Sequence, residues 1–467
     1  MPDNMLIEQA YSPMPPAARR LRRLLIAVGI AMALSQVAYV AIFTFNQPWA
    51  DEWEFIPVLC GKGSTRDFLW AQHNEHRMPL PREIWLALFQ LTGDFRTGSY
   101  LQVAIYTAIA FLGMRWAAQL RGGPSWADLF FPLSLLHLGH SENLLMGYQL
   151  CFALASAFVF LLIRIALKAT DDNRIRTAFL ASLLSAALCL CGGFGAVFSI
   201  PAMLWIWFLL VRPHRSESGG TVSPCATFTG GHRPPAFGQR IVIALFALFP
   251  VVYLRFYFQD YHRPEGHPPF EMKNWFAAAQ VTMEVIAVGF GIAVEWIWLA
   301  VFLGILGVSL AVANAAIRGG RKHSGEWPSI AGVVAVCLGV CGLALAIGAG
   351  RSGFGDSFGL WPRYSILTWP LLASLYFAAL VWGMPWLRAV PGAFAVFALV
   401  LLPVNTMYGI GNGRHHAEWL GAIEKDVQND ILEELIVKQH LDGTGQEERA
   451  LRGIPLLRAR GIGPFHQ

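Results

Sequence analysis

The chain has 467 residues, of which 55% are apolar and only 14% charged, with 17 tryptophans and a net charge of +5. Soluble domains carry about a quarter charged residues, so this composition excludes a soluble globular enzyme. The basic residues stand in short clusters between apolar runs rather than along one face, which speaks for membrane topology and against nucleic acid as a partner.

Uncharged apolar runs of about 20 residues, long enough to cross a hydrocarbon core, recur from Leu24 almost to Tyr408. The expected fold class is an all-α polytopic membrane protein. Arg19, Arg20, Arg22 and Arg23 precede the first run, Leu24 to Phe45, which is too long for a secretory signal and lacks a small-residue cleavage site. Further helices are expected at Ser99 to Leu120, at a short run Leu129 to Leu138, and at Leu144 to Ile163. The stretch Thr177 to Val211 holds no charge over 35 residues, and Gly192, Gly193, Gly195 and Pro201 predict its division into two short helices.

The Gly-, Pro-, Ser- and Thr-rich segment 212–240 reads as a mobile cytoplasmic loop. Helix Ile241 to Leu254, a loop containing Asp260 to Lys273, and an interfacial helix plus one span within Trp275 to Ile317 follow. Ser329 to Gly350, Ile366 to Met384 and Ala389 to Tyr408 complete a count of about eleven membrane helices. Placing Lys and Arg clusters inside puts the N-terminus in the cytoplasm and the C-terminus outside. Residues 1–408 form the transmembrane domain. Residues 409–467 form a small helical tail on the outer face, with helical spacing of apolar residues from Glu418 to Gln439.

With that threading, ionisable groups gather in the first outer loop, 46–98. It opens Trp49-Ala50-Asp51-Glu52-Trp53-Glu54-Phe55 and continues His73-Asn74-Glu75-His76-Arg77-Met78-Pro79-Leu80-Pro81-Arg82-Glu83-Ile84-Trp85. Taken singly, these acids are solvated interfacial charges, and Trp49, Trp53 and Trp85 are aromatic anchors. Together, Asp51, Glu52, His73, Glu75, His76 and Arg77 offer a base, an acid and phosphate-binding groups. On a helix His73 and His76 would share a face.

The turn His137 to Asn143 adds Glu142, a second carboxylate or else a helix cap. The segment Gly350 to Asp356, with Trp361 to Tyr364, adds Arg351, Arg363 and Tyr364. These arginines either hold a phosphate by bidentate contacts or snorkel to headgroups. Glu284 and Glu295 are second-rank candidates within an apolar stretch. No zinc-ligand spacing is present; a divalent metal is not favoured and no cofactor is expected.

Asp51-Glu52 with Phe55 directly after the first helix, and Arg77-Met78-Pro79-Leu80-Pro81 with Trp85 where the loop returns, resemble the GT-C superfamily of integral-membrane glycosyltransferases. The likeness is to the protein O-mannosyltransferase and aminoarabinose-transferase branch. In this chain Arg77 stands where a lysine is usual and Leu80 separates the prolines. The tail is small, and the Trp-Trp-Asp signature of the oligosaccharyltransferases is absent.

The resemblance implies a GT-C-like bundle with interfacial helices in the first outer loop, set in the inner membrane of a bacterium. It implies transfer of a sugar from a polyprenyl-phosphate donor to a glycan, lipid or protein acceptor at the outer face. Asp51 would be the base, with Glu52 and Glu142 as alternatives. Arg77, Arg351, Arg363, Tyr364, His73 and His76 would serve the donor phosphate, with Glu75, Trp53 and Trp85 around them. Two other classes stay open: a transporter or flippase of a lipid-linked glycan, and a non-catalytic subunit of an envelope complex.

Overall fold

The computed structural model describes residues 15–212, 237–263, 274–354 and 357–465. Most of the loop expected at 212–240 lies outside the described residues, as do 264–273, Gly355 and Asp356. Among the described residues the protein is all α, with no strand and a single isolated bridge between His73 and His76. Eight helical segments are long and apolar enough to cross a membrane, and the protein is of the integral-membrane type.

Helix α1 (Pro16–Phe43) opens with proline in its first turn, where the missing N–H costs nothing, and closes at Thr44, whose hydroxyl donates to the Val40 carbonyl. The loop that follows is built from the 3₁₀ turn Ala50–Phe55 and helices α2 (Ile56–Leu59), α3 (Thr65–Trp70) and α4 (Pro79–Thr92). Gly93, in the left-handed region at φ 66°, ends α4. Helix α5 (Thr97–Arg121) then runs about 37 Å toward the other end of the bundle.

The run expected as a third helix is instead a chain of short pieces lying antiparallel along α5. They are the 3₁₀ turn Trp126–Leu129, α6 (Phe130–Leu135), the 3₁₀ turn Leu138–His140, α7 (Ser141–Leu145) and the 3₁₀ turn Gly147–Gln149. Asp128 meets Arg121, Phe131 lies on Gly113, His140 faces Tyr106, and Gln102 donates to the Met146 carbonyl. The segment thus covers the full depth of α5. A broken backbone at that depth is tolerated only where protein buries it, and α6 is buried along its whole length.

Helices α8 (Leu150–Leu167), α9 (Arg174–Cys189) and α10 (Gly193–Val211) follow. The division between α9 and α10 falls at Gly192, at φ 133°, and a Cβ on Gly195 would overlap the Leu188 carbonyl. Pro201 lies inside α10 and does not break it. Helix α11 (Phe237–Tyr257) packs against both.

In the stretch expected to hold an interfacial helix and one span, a short helix, α12 (Trp275–Ala287), precedes the long one, and its end packs into the bundle. Gly289 at its end meets Thr368 and Leu372, and Phe290 packs on Phe394 and Phe130. The chain then turns back through the 3₁₀ turn Ile292–Ile297 before α13 (Trp298–Lys322) begins. Asn405, 1% exposed, holds this turn: its amide donates to the Phe290 carbonyl at 3.0 Å and its oxygen accepts the Ala293 N–H at 3.0 Å. Asn405 also abuts Gly139, so the two broken segments meet at one buried side chain.

Helices α14 (Trp327–Arg351) and α15 (Ser365–Trp382) complete the central bundle. Helix α16 (Val390–Gln428) is 39 residues long and continues without interruption past Gly409. The helical spacing from Glu418 to Gln439 is thus divided between the end of α16 and α17 (Glu433–His440), and α18 (Glu447–Arg460) folds back onto the long first loop. Gly453 sits against the Trp53 ring, and the Arg460 guanidinium donates to the Cys60 carbonyl.

Candidate functional site

At the end of the bundle that carries the first loop lies a cavity of about 450 Å³. Its polar wall comes from the loop: Asp51, His73, Asn74, Glu75 and His76. Its apolar wall comes from α8, α10, α14 and α15 and includes Phe152, Phe194, Val197, Leu343, Ile347 and Leu367. Arg351, Arg363 and Tyr364 stand where the two walls meet.

The loop closes on His73. His73 and His76 are not on a helix; they face each other across the turn Asn74-Glu75, exchanging two backbone hydrogen bonds of 2.7 Å, with Asn74 in the left-handed region. This turn points the His73 ring, 3% exposed, between two carboxylates. Its Nε2 lies 3.3 Å from Asp51 Oδ2, and its Nδ1 lies 2.8 Å from Glu54 Oε1. Arg82 of α4, 2% exposed, pairs with Glu54 at 3.1 Å. Arg449 of α18 pairs with Glu54 at 3.0 Å and approaches Asp51 at 3.7 Å.

Burial alone would push the Asp51 and Glu54 carboxyls up, but His73, Arg449 and the nearby arginines outweigh it and hold both below their ordinary values. Burial would likewise lower His73, and the two carboxylates outweigh it, raising the imidazole to about 9. Asp51 is therefore an ionised carboxylate facing the cavity, with its position fixed from behind.

Glu52 has a different environment. It is 3% exposed, turned away from the cavity, and accepts the Trp49 N–H at 3.0 Å. Burial raises its carboxyl to about 8, so it is neutral at pH 7 and acts in the fold rather than at the cavity. A group whose folded pKa is raised adds stability below its unfolded value and loses it as the pH climbs through the folded one. Glu52 and His73 both have this sign, so thermal stability should fall between pH 7 and about 9. Thermal melts of the purified protein across that range test this, and Glu52→Gln should show a smaller loss.

Glu142 does not line the cavity. It pairs with the Arg363 guanidinium at 3.1 Å and accepts its backbone N–H at 3.3 Å, positioning that arginine rather than capping α7 with its side chain. Glu75 pairs with Arg351. His76 meets the Tyr257 hydroxyl at 3.2 Å.

Arg77, expected at the donor phosphate, is placed outside the cavity. Its guanidinium donates to the carbonyls of Tyr257, Trp70 and Gln259 at 3.1, 2.7 and 2.7 Å, which ties the end of α11 to the loop. Trp53 and Trp85 are buried rather than interfacial; Trp85 packs on Phe55 at 4.1 Å. Glu284 is buried and accepts the Gly359 N–H at 3.2 Å, whereas Glu295 is exposed. Among the described residues no three His, Cys, Asp or Glu side chains are grouped to hold a metal ion.

Four contributors to the His73 cluster were not among the sequence candidates, the nearest of them Glu54 at 2.8 Å. Arg82 has a sequence signal, since Pro81, Arg82, Trp85, Leu86 and Phe89 all lie on the buried stripe of α4. Tyr148 approaches His73 at 4.9 Å between ring centroids. Arg449 lies in the tail, and no local pattern ties it to residues 51–54. No family model, curated protein or solved structure matches the chain.

Proposed function

We propose that this protein is a membrane glycosyltransferase that moves a sugar from a polyprenyl-phosphate donor to an acceptor of the cell envelope. The observation that carries the reading is one cavity lined by an ionised carboxylate, Asp51, and two arginines, Arg351 and Arg363, with an apolar wall opposite the loop. Transfer to a hydroxyl needs a base for the acceptor proton. The departing phosphate needs preorganised cations and no proton donor. An isoprenoid needs an apolar wall, which Phe152, Phe194, Leu343 and Ile347 supply. The GT-C resemblance of Asp51-Glu52 and Phe55 agrees with these roles.

In this reading the acceptor hydroxyl loses its proton to Asp51 as its oxygen bonds to the anomeric carbon, and the bond to the phosphate oxygen breaks. A carboxylate held low in basicity suffices, because the hydroxyl becomes strongly acidic only as the new bond forms. The topology that serves this chemistry has eleven crossings, counting the broken segment beside α5, with the N-terminus cytoplasmic and the cavity at the outer face of a bacterial inner membrane. An alkaline phosphatase fused after Gln467 should be active; an inactive fusion, with an active cytoplasmic reporter at the same point, would reverse this orientation.

The functional test is donor-dependent transfer in reconstituted vesicles, with donor binding measured in parallel. Arg351→Ala and Arg363→Ala should each weaken donor binding and slow transfer about ten- to hundredfold, the range for a charge-assisted hydrogen bond. A phosphate is held in ground and transition states alike, so both readouts should move. Full donor affinity in both variants would contradict the assignment.

A further inference from the structure

A second cavity, of about 530 Å³, opens between α1 and α5 at the opposite end of the bundle. Leu25, Ile26, Phe111 and Met114 form its apolar wall, and Arg22 and Arg115 stand at it. Neither arginine has an ion-pair partner among the described residues. Asp128, the acid that lines the cavity, is already engaged: Arg121 holds it at 3.0 Å, the Tyr376 hydroxyl at 2.8 Å and the Ser125 N–H at 2.9 Å. Arg164 of α8, outside the cavity lining, donates to Gln119 of the lining at 3.2 Å. The wall is therefore electropositive and uncompensated.

Depth sharpens the point. Arg115 lies six residues before Arg121 at the end of α5, which is about 9 Å along the helix axis. Arg115 is exposed, and from that distance its guanidinium reaches the headgroup level, where lipid phosphates lie. Gly122 and Gly123 border the cavity, and a Cβ on either would meet no described atom within 4 Å.

We infer that the α1/α5 cavity binds an anionic phospholipid, with the phosphate between Arg22 and Arg115 and an acyl chain along Leu25, Ile26, Phe111 and Met114. The cations match the headgroup, and the continuous apolar wall matches a chain, which selects a lipid over a free anion. Basic pockets between membrane helices recognise anionic headgroups by this combination. The site is independent of the transferase reading and stands or falls without it.

The experiment uses the full-length protein in detergent supplied with equal phosphatidylglycerol and phosphatidylcholine, with retained lipid quantified by mass spectrometry. Phosphatidylglycerol should be retained in preference. The double variant Arg22→Gln/Arg115→Gln should reduce that retention roughly thirtyfold, from the usual contribution of two basic residues at a membrane surface. Lys62→Gln/Arg66→Gln, which removes the same charge at the other end, should not change it. Equal retention of both lipids by the wild type overturns the proposal, and that arm stands even if the double variant fails to fold. Loss of retention equal to the control's, or displacement by inorganic phosphate at the lipid's own concentration, overturns it as well.

Discussion

Asp51→Asn is expected to slow glycosyl transfer by about a hundredfold to ten-thousandfold, the usual loss of a general base, while donor binding stays intact. Asn keeps the size of the side chain and a hydrogen-bonding oxygen toward His73, so the change falls on basicity. Of the acids that the sequence offered as the base, Asp51 is the one that faces the cavity; Glu52 is buried behind it and Glu142 is committed to Arg363. The check is single-turnover transfer by the variant alongside its donor affinity. Undiminished transfer would remove Asp51 as the base. Loss of donor binding would mean that its charge holds the loop rather than receives the proton.

Arg82→Ala should destabilise the protein by about 3–5 kcal/mol, the cost of removing one partner of a buried ion pair. Arg82 does more than neutralise Glu54 at 3.1 Å: its guanidinium donates to the carbonyls of Phe68 and Ala71 and lies 4.6 Å over the Phe68 ring. It thereby joins α3 and α4 to the turn that carries Asp51. Arg82→Lys keeps the charge without the planar fork and should fall between wild type and Arg82→Ala. Thermal or denaturant unfolding in detergent measures the order, and equal stability of the three proteins would contradict the network.

The continuous helices were legible because each is an uncharged run whose length matches its task, as with Leu24 to Phe45 and Ser329 to Gly350. The division of Thr177 to Val211 was legible in its glycines. The turn His137 to Asn143 was legible too, but the further breaks around it and the break after α12 were not. The runs Leu129 to Leu138 and Leu144 to Gln149, and Val288 to Ile297, have enough apolar residues to read as helix. What interrupts them is a set of distant partners, Asn405 and Gln102, that satisfy the freed backbone.

The same limit applies at the cavity. Asp51, His73, His76, Arg351 and Arg363 were readable as chemistry-bearing residues. The engagement of Arg77 by three carbonyls depends on where Tyr257 and Gln259 come to lie. Arg449 reaches Asp51 and Glu54 only because α18 folds back onto the first loop. Such pairings leave no local pattern, since the partners are remote in sequence.

The most direct measurement is a structure of the protein in lipid nanodiscs with a bound polyprenyl phosphate. The account predicts phosphate density between Arg351 and Arg363 on the side facing Asp51, with the first isoprene units along Phe152, Phe194 and Leu343. A donor bound at another place on the bundle, or no saturable binding of polyprenyl phosphate at all, would contradict it.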